Sequence, residues 1–418
     1  MPKIEEIKAH KIVNSRGTWT VDTRITLSDG LFIEQPVPGG ASRGENEAVY
    51  LPVEKSIEVI SSVINDALHG MDPTNQRELD NILLEMDGTK NKEHLGGNSI
   101  LSVSLGLARI SAMYQKKELF EYVSELYGKK IEKNPNLKFP TPVFNILNGG
   151  KHAQNNLSFQ EFMVIPAPNK PFLQQMEMGV NMYIKLKDNL IKAKHSTGVG
   201  DEGGFAPEGF TTKKALDFIT EAASSMYKLG EEAFLGMDVA AESFIEHHMY
   251  KISEEDLVMN VTQFTDYYDK IISEFPLIYI EDPFYERDYE GWDMFYKKFS
   301  KRLMVVADDL VVTNPIYLKK AIDMNLANAV IVKPNQVGTL SETLDFIRMA
   351  KGNNMQIIVS HRSGDTAEDS FIADLALAVE AEFIKSGAPV RGERVVKYNR
   401  LLDIFSEISG NGNGNGSV

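Results

Sequence analysis

Six polar side chains follow short apolar runs in the second half of the chain, and their types suit metal binding and proton transfer. Each apolar run predicts a buried strand, and the six residues lie 24 to 43 positions apart. They are Asp238, Glu281, Asp308, Lys333, His361 and Lys385. Three carboxylates brought together repel one another unless a cation lies between them, and oxygen ligands favour Mg²⁺. Any one of these acids alone could instead cap the helix after it, so the prediction depends on all three converging.

Two lysines and one polar segment add groups that act on a bound anion. Lys333 and Lys385 each end an apolar run, although a lone lysine is more often a solvated surface residue. Close to divalent cations, a lysine loses part of its preference for the charged state and can act as a base near neutral pH. In the segment 360–366, Arg362 offers a planar fork for phosphate or carboxylate and Ser363 offers a hydroxyl.

Two glutamates stand out by their surroundings. Glu161 interrupts the apolar run FQEFMV, where an unpaired carboxylate would be costly, so we interpret it as a functional or paired acid. Glu202 lies in the glycine-rich segment VGDEGGFAP, whose tight turns can present an acid to a ligand. The glycine-rich segments 38–44 and 145–155 are similar, and each could equally be a surface turn.

The elements that must position these groups alternate between apolar strands and amphipathic helices. Continuously apolar strands separated by helices indicate a parallel sheet covered by helices on its faces. Six such units favour a (β/α) barrel over an open sheet, and in a barrel the carboxyl ends of the strands meet at one mouth. We therefore expect the two aspartates, the glutamate, the two lysines and the histidine to face one another.

The first part of the chain has a mixed pattern. A hairpin is predicted over 20–38, followed by amphipathic helices, the last of them over 99–126. The basic, proline-rich stretch 128–142 is the best candidate for a linker. The low-complexity sequence GNGNGNGSV at 410–418 predicts a disordered tail.

Composition excludes several classes of protein. The 418 residues carry a formal charge of −15, which argues against binding the phosphate backbone of nucleic acids. The absence of cysteine excludes disulfides, thiolate nucleophiles and cysteine-ligated metals. The sequence contains no uncharged apolar run long enough to predict a membrane span. Its charged start lacks the apolar core of a signal peptide. We expect a soluble cytoplasmic protein.

Short segments along nearly the whole chain resemble the enolase (phosphopyruvate hydratase) family. They include NGGKHA, VGDEGGFAP, MDVAA, IEDPF, ADDLVVTN, SHRSGDT and IKSG. The resemblance implies an α/β fold with a modified (β/α)8 TIM-like barrel preceded by a smaller α+β domain. We predict the α+β domain at 1–134, the barrel at 135–409 and the tail at 410–418. The resemblance further implies a homodimer or larger homo-oligomer.

The resemblance also implies a reaction and its cofactor. The family is a hydro-lyase that interconverts 2-phosphoglycerate and phosphoenolpyruvate in glycolysis and gluconeogenesis, with two Mg²⁺ per active site. The implied metal ligands are Asp238, Glu281, Asp308 and Ser42. The implied substrate-binding residues are His152, Gln160, His361, Arg362, Ser363, Lys385 and Ser42.

Three further residues receive catalytic roles from the resemblance. Lys333 would remove the proton at C2, and Glu202, assisted by Glu161, would protonate the leaving hydroxyl. These residue types fit the chemistry, because a proton beside an ionised carboxylate is a weak acid and hydroxide is a poor leaving group.

Departures from the family pattern keep two alternatives open. The family loop S-G-A-S-T-G is here Gly39-Gly40-Ala41-Ser42-Arg43-Gly44, so a small hydroxyl is replaced by a cation at Arg43. This change suits a paralogue that acts on a phosphonate or other phosphoenolpyruvate-like compound, such as a carboxyphosphonoenolpyruvate synthase. The second alternative is a relative with only a structural or binding role, against which the intact metal and acid–base residues argue.

Overall fold

The computed structural model describes residues 2–39, 46–131 and 133–409. The predictions for Ser42, Arg43 and the tail at 410–418 lie outside these residues. Among the described residues, no helix combines the length and the apolar character needed to cross a membrane.

The first unit is a three-stranded antiparallel sheet packed against helices. The strands β1, β2 and β3 are Ile4–Val13, Trp19–Leu27 and Phe32–Pro36, and the predicted hairpin is the pair β2–β3. The helices α1 to α5 are Val53–Val59, Asn65–Leu68, Gln76–Asp87, Gly97–Tyr114 and Leu119–Tyr127, with one π turn at Ile60–Ile64. Apolar residues of the sheet and of α1 to α4 form a core of their own.

The prediction of one continuous helix over 99–126 was wrong, because the chain turns between α4 and α5. Lys116 adopts a left-handed backbone with φ of 55°, which ends the first helix. Glu118 then starts the second with a capping box, in which its side chain and that of Glu121 each accept a backbone N–H. Periodicity alone missed this break because the apolar spacing continues across it.

The second unit is a closed eight-stranded barrel. Its strands β4, β5, β6, β10, β11, β12, β13 and β14 are Thr141–Asn148, Glu161–Pro166, Ala233–Asp238, Leu277–Glu281, Met304–Ala307, Ala329–Val332, Gln356–Ser360 and Phe383–Lys385. Around the barrel the order is β10-β11-β12-β13-β14-β4-β5-β6. All neighbours are parallel except that β5 runs antiparallel to both β4 and β6. The modified (β/α)8 barrel is therefore confirmed.

Helices surround the barrel, and a small sheet extends from it. The helices α6 to α14 are Phe172–Lys192, Thr212–Ser224, Val261–Glu274, Tyr289–Phe299, Pro315–Met324, Pro334–Val337, Leu340–Gly352, Phe371–Ala378 and Gly392–Ile408. The small antiparallel sheet consists of β7 at Ile245–Glu246, β8 at Met249–Ile252 and β9 at Leu257–Met259.

The two units share a core at α4 and α5. Leu101 and Leu105 on α4, and Phe120 and Val123 on α5, are buried in the cluster that also holds the helices around the barrel. The irregular stretch between α5 and β4 covers most of the predicted linker, whose last two residues belong to β4. The boundary at residue 134 stays a prediction, since packing is continuous across the two units.

The predicted strand ends meet as expected. Asp238, Glu281 and Lys385 are the last residues of their strands, and the other three follow directly after theirs. The sequence context of Glu161 predicted a position inside a strand. Glu161 is instead the first residue of β5. Because β5 is antiparallel, its first residue lies at the same mouth as the carboxyl ends of the other strands.

Candidate active site

A polar cavity of about 50 Å³ opens at the mouth of the barrel. Eleven of the predicted site residues line it: His152, Gln160, Glu161, Glu202, Asp238, Asp308, Lys333, His361, Arg362, Ser363 and Lys385. Glu281 is fully buried beneath it and contacts Lys385. The fold therefore brings together every predicted site residue except Ser42, which lies outside the described residues.

One side of the cavity, which we name the lysine cluster, consists of Asp238, Glu281, Asp308, Lys333 and Lys385. Lys385 Nζ lies 2.7 Å from Glu281 Oε2 and 3.4 Å from Asp238 Oδ2. Lys333 Nζ donates to Asp308 Oδ2. The three predicted metal ligands are thus held by two ammonium groups.

Burial dominates the electrostatics of the lysine cluster. Burial and the repulsion of neighbouring carboxylates raise the pKa of Asp238 to about 6 and that of Glu281 to about 7. Burial alone would lower the pKa of Lys333, but Asp308 outweighs it and raises that pKa above its usual value. The three carboxylates carry more negative charge than the two ammonium groups offset. This excess favours the binding of a further cation.

The opposite side, which we name the histidine cluster, consists of His152, Glu161, Glu202 and His361. His152 Nδ1 lies 3.4 Å from Glu161 Oε1 and 3.6 Å from Glu202 Oε1. His361 Nε2 lies 3.3 Å from Glu202 Oε2, which also accepts a hydrogen bond of 3.0 Å from Asn145 Nδ2. All four side chains are at least nine-tenths buried.

The two glutamates of the histidine cluster differ in protonation. Burial raises the pKa of Glu161 well above its usual value, and the nearby charge of Glu202 raises it further. Burial acts in the same direction on Glu202, but His152, His361 and Arg394 together hold the pKa of Glu202 well below its usual value. The pair therefore retains one proton, on Glu161, while Glu202 is ionised.

Two contacts join the clusters. Lys385 Nζ reaches across to Glu161 Oε2 at 3.1 Å. Gln160 Nε2 donates to Asp238 Oδ2 at 3.2 Å. A change of charge in either cluster is therefore felt by the other.

The predicted anion-binding loop is tied to the N-terminal unit. Arg362 Nη1 lies 3.1 Å from Glu47 Oε2, and both side chains are buried. Ser15 Oγ donates to the carbonyl of Ser363 at 3.0 Å. Gly39 and Gly364 exchange two backbone hydrogen bonds of 2.8 and 2.7 Å. The chain on either side of residues 40–45 is therefore anchored beside the cavity.

Sequence reasoning missed several residues of the site. Asp282, in left-handed backbone at φ of 43°, accepts the backbone N–H groups of Asp308 and Asp309 at 3.0 and 2.9 Å and so orients them. Asp309 lines the cavity beside Asp308. Both follow predicted ligands directly in IEDPF and ADDL, so adjacency was an available signal. Asn145 and Arg394 carried no such signal.

The donor set fits a divalent cation. Oxygen atoms of Asp282, Asp308 and Asp309 lie within 4.8 Å of one another. Within the described residues, Glu281 Oε1 is buried and has no hydrogen-bond partner. A buried carboxylate oxygen of this kind, beside acids with raised pKa, matches a site for a hard cation with oxygen ligands. Acidic groups able to bind a metal are therefore present at the mouth.

Comparison with known proteins identifies one family over nearly the full chain. The model of the enolase C-terminal TIM barrel domain matches residues 136–417, and that of the enolase N-terminal domain matches residues 4–123. An enolase of Ehrlichia ruminantium (strain Welgevonden) is 41% identical over 414 residues, which cover 96% of each chain. An enolase of Lactobacillus helveticus (strain DPC 4571) is 42% identical over 417 residues, covering 97% of this chain and 95% of the relative. This chain belongs to the enolase family.

Proposed function

We propose that this protein is a hydro-lyase that reversibly dehydrates 2-phosphoglycerate to phosphoenolpyruvate. One observation carries the proposal: Lys333 lines the same cavity as Glu161 and Glu202, a pair of glutamates that retains one proton. Dehydration needs a base for the C2 proton and an acid for the leaving hydroxyl, and the two must not neutralise each other. Family membership, at about 41% identity over nearly the full length, supports the same reaction.

The metal of this proposal is Mg²⁺, with two ions per active site. Asp238, Glu281 and Asp308 would hold the first ion, and Ser42 would contribute to the second. When bound, the ions would offset the negative charge that develops on the substrate carboxylate as C2 loses its proton. The family's divalent metal and the acidic groups at the mouth support this assignment.

Lys333 is the proposed base at C2. Its side chain lines the cavity, and its Nζ atom donates to Asp308. The nearby cations Arg362 and Lys385 oppose its protonation. The carboxylates of Asp308 and Glu281 favour its protonation instead. Without a bound metal ion the carboxylates outweigh the neighbouring cations, so the pKa of Lys333 lies above its usual value. Mg²⁺ bound by these carboxylates would offset their charge and lower the pKa of Lys333, which would let the lysine act as a base near neutral pH.

The proposed acid is Glu202, assisted by Glu161. The pair holds one proton, which lies on Glu161 before substrate binds, and Glu202 faces the cavity as the ionised partner. As the hydroxyl departs from C3, this proton reaches it through Glu202, and the hydroxyl leaves as water. His152 lies within 3.6 Å of both carboxylates and keeps them together.

The remaining predicted residues bind and orient the substrate. Arg362 and Ser363 would hold the phosphate, since a guanidinium fork and a hydroxyl suit its oxygens. Lys385 would pair with the substrate carboxylate, and His361 and Gln160 would shape the pocket. Because Glu47 already engages Arg362, we expect the phosphate to compete with this carboxylate for the guanidinium.

The alternatives are less well supported. The curated relatives carry the name enolase, which does not favour the phosphonate-acting paralogue. The intact acid–base and acidic residues at one cavity do not favour a purely structural role.

We also propose that the protein acts in glycolysis and gluconeogenesis in the cytoplasm, as a homodimer. On α6, Leu173, Val180, Ile184 and Ile191 are exposed on one helical face, and such an apolar stripe supports association. The mass of the purified protein by light scattering tests the dimer. A monomer at micromolar concentration would contradict it.

The reaction is tested by the ultraviolet absorbance of phosphoenolpyruvate formed from 2-phosphoglycerate. We expect a rise that requires Mg²⁺ and disappears with excess chelator. If no rise occurs although Mg²⁺ binds, the proposed substrate is wrong. Phosphonate analogues of phosphoenolpyruvate, assayed in parallel, would then show whether the paralogue is correct.

A further inference from the structure

The final helix of the chain contributes a fully buried guanidinium to the back of the histidine cluster. Arg394, on α14, is 0% exposed. Its Nη1 atom contacts His361 Nδ1 and donates to the carbonyl of Arg362 at 2.6 Å. Its Nη2 atom donates to the carbonyl of Ser363 at 2.6 Å. The Arg394 side chain therefore contacts three consecutive residues of the anion-binding loop, His361, Arg362 and Ser363.

The charge of Arg394 is itself held in place. Asp365 Oδ2 lies 3.6 Å from Arg394 Nη1 and 2.7 Å from Lys397 Nζ, and all three residues are buried. Lys397 also donates to the carbonyl of Glu393 at 2.7 Å. The guanidinium is thus enclosed, and its direction toward His361 is set by several contacts.

The chemistry of the contact fixes the tautomer of His361. A guanidinium has only N–H donors and stays protonated in proteins. The Nδ1 atom that faces it must therefore accept, which leaves the ring proton of a neutral imidazole on Nε2. Nε2 lies 3.3 Å from Glu202 Oε2, near enough for electrostatic attraction although the two atoms do not meet hydrogen-bond geometry. With the opposite tautomer, two N–H groups would face each other on one side, and a lone pair would face a carboxylate on the other.

We infer that Arg394 is a positioning residue, which holds His361 in the Nε2–H tautomer and so keeps its single N–H on the side of the ring that lies against Glu202. This inference goes beyond the roles assigned above, and its consequence for turnover rests on the proposed function. His361 accordingly orients the ionised partner of the acid pair rather than exchanging protons itself. Burial, together with the Arg394 charge, lowers the pKa of His361 to about 3, which agrees with a neutral ring.

The tautomer can be measured directly in the unmodified protein. Nitrogen-15 and proton correlation spectra of imidazole distinguish Nε2–H, Nδ1–H and imidazolium rings, and a His361→Gln variant assigns the signal among the eight histidines. We expect His361 to show the Nε2–H form throughout the neutral range, with no substrate present. An Nδ1–H form, or an imidazolium at neutral pH, would overturn the inference. This result does not depend on enolase activity.

Variants then connect Arg394 to turnover. Arg394→Lys keeps the positive charge but loses the fork, so we expect a mixture of His361 tautomers and a kcat lower by about 10- to 100-fold, with a smaller change in KM. Arg400→Lys is the matched control, because Arg400 lies on the same helix and pairs with Asp374 and Glu118 outside the cavity. We expect the control to keep both the tautomer and kcat.

The outcomes separate this inference from the proposed function. An Nε2–H ring in a protein without activity on 2-phosphoglycerate would retain the inference about Arg394 and reject the reaction. Normal activity with an Nδ1–H ring would retain the reaction and reject the inference about Arg394. If Arg394→Lys alters neither the tautomer nor kcat, Arg394 is not a positioning residue.

Discussion

The two clusters of the cavity stabilise their buried carboxylates in different ways. The lysine cluster sets three carboxylates against two ammonium groups, whereas the histidine cluster sets two carboxylates against two imidazoles. An ammonium supplies a full charge, and a buried neutral imidazole supplies only a hydrogen-bond donor or acceptor. The first cluster is therefore suited to additional cations, and the second retains a proton on one of its acids.

Because the clusters differ in this way, one cavity can hold a base and an acid together. The proton in the histidine cluster remains on Glu161, because Glu202 is stabilised as an anion by its neighbours. In the lysine cluster, the ammonium of Lys333 depends on the charge of Asp308.

The largest effect is expected when the base is removed. In Lys333→Ala, kcat should fall by about 10⁴-fold, because general-base catalysis contributes up to roughly that much. Mg²⁺ binding, measured by calorimetry, should persist because the carboxylates remain. Lys92→Ala is the matched control, since Lys92 is a buried lysine paired with Glu342 outside the cavity. Unchanged turnover in Lys333→Ala would reject this base.

The next effect concerns the retained proton. In Glu161→Gln, kcat should fall by about 100-fold, because the acid pair can no longer hold a transferable proton. Asp80→Asn serves as the control, since Asp80 is a fully buried acid on α3 whose pKa is also raised by burial. Steady-state kinetics should show little change in that control. An active Glu161→Gln enzyme would show that the transferred proton does not come from Glu161.

A smaller effect follows from protons that compete with metal in the lysine cluster. The raised pKa values of Asp238, about 6, and Glu281, about 7, mean that the metal-free folded state binds protons that the unfolded chain has already released. Stabilisation by Mg²⁺ should therefore be fully present at about pH 8 and decline as the pH falls through 7 and 6 toward 5.

Thermal unfolding with and without Mg²⁺, across this pH range, measures the decline. Below pH 6, we expect affinity to change by up to about 100-fold per pH unit, one factor of ten for each displaced proton. Asp238→Asn should make the pH dependence shallower by about one proton. A shift in Tm that is the same at pH 5 and pH 8 would contradict this account.

The smallest effect concerns a group behind the lysine cluster. The Tyr279 hydroxyl donates to Glu281 Oε2 and has no exposed surface. Tyr279→Phe should weaken Mg²⁺ affinity by about tenfold, since such supporting donors orient a ligand. Tyr268→Phe is the control, because its buried hydroxyl donates to the carbonyl of Pro283 instead. Equal Mg²⁺ affinities in both variants and the unmodified protein would reject this role of Tyr279.

Much of the barrel could be predicted from the sequence, because six of its eight strands are short apolar runs that end in a polar residue or are followed directly by one. The direction of β5 could not be derived from the pattern, since an antiparallel strand and a parallel one have the same apolar spacing. The break between α4 and α5 was missed for a related reason. It depends on the backbone at Lys116 and the cap at Glu118, which hydrophobic periodicity does not report.

For the site, the sequence predicted residues but not their charge balance. Motifs placed Lys333 and Asp308 at adjacent strand ends, yet only the structure shows that they pair. Arg394 was not predicted at all, because it contacts His361 across 33 positions of sequence from a helix without a motif. Contacts between distant segments set pKa values and tautomers, so local sequence cannot supply them.

The division between base and acid is tested most directly by following hydrogen exchange at C2 of 2-phosphoglycerate in deuterated water, alongside dehydration, in a Glu202→Gln variant. This account predicts that exchange continues, because Lys333 is intact, while formation of phosphoenolpyruvate falls by about 100-fold. Lys333→Ala, measured in parallel, should lose both. Loss of exchange together with dehydration in folded, Mg²⁺-binding Glu202→Gln would contradict the division of labour between the two clusters.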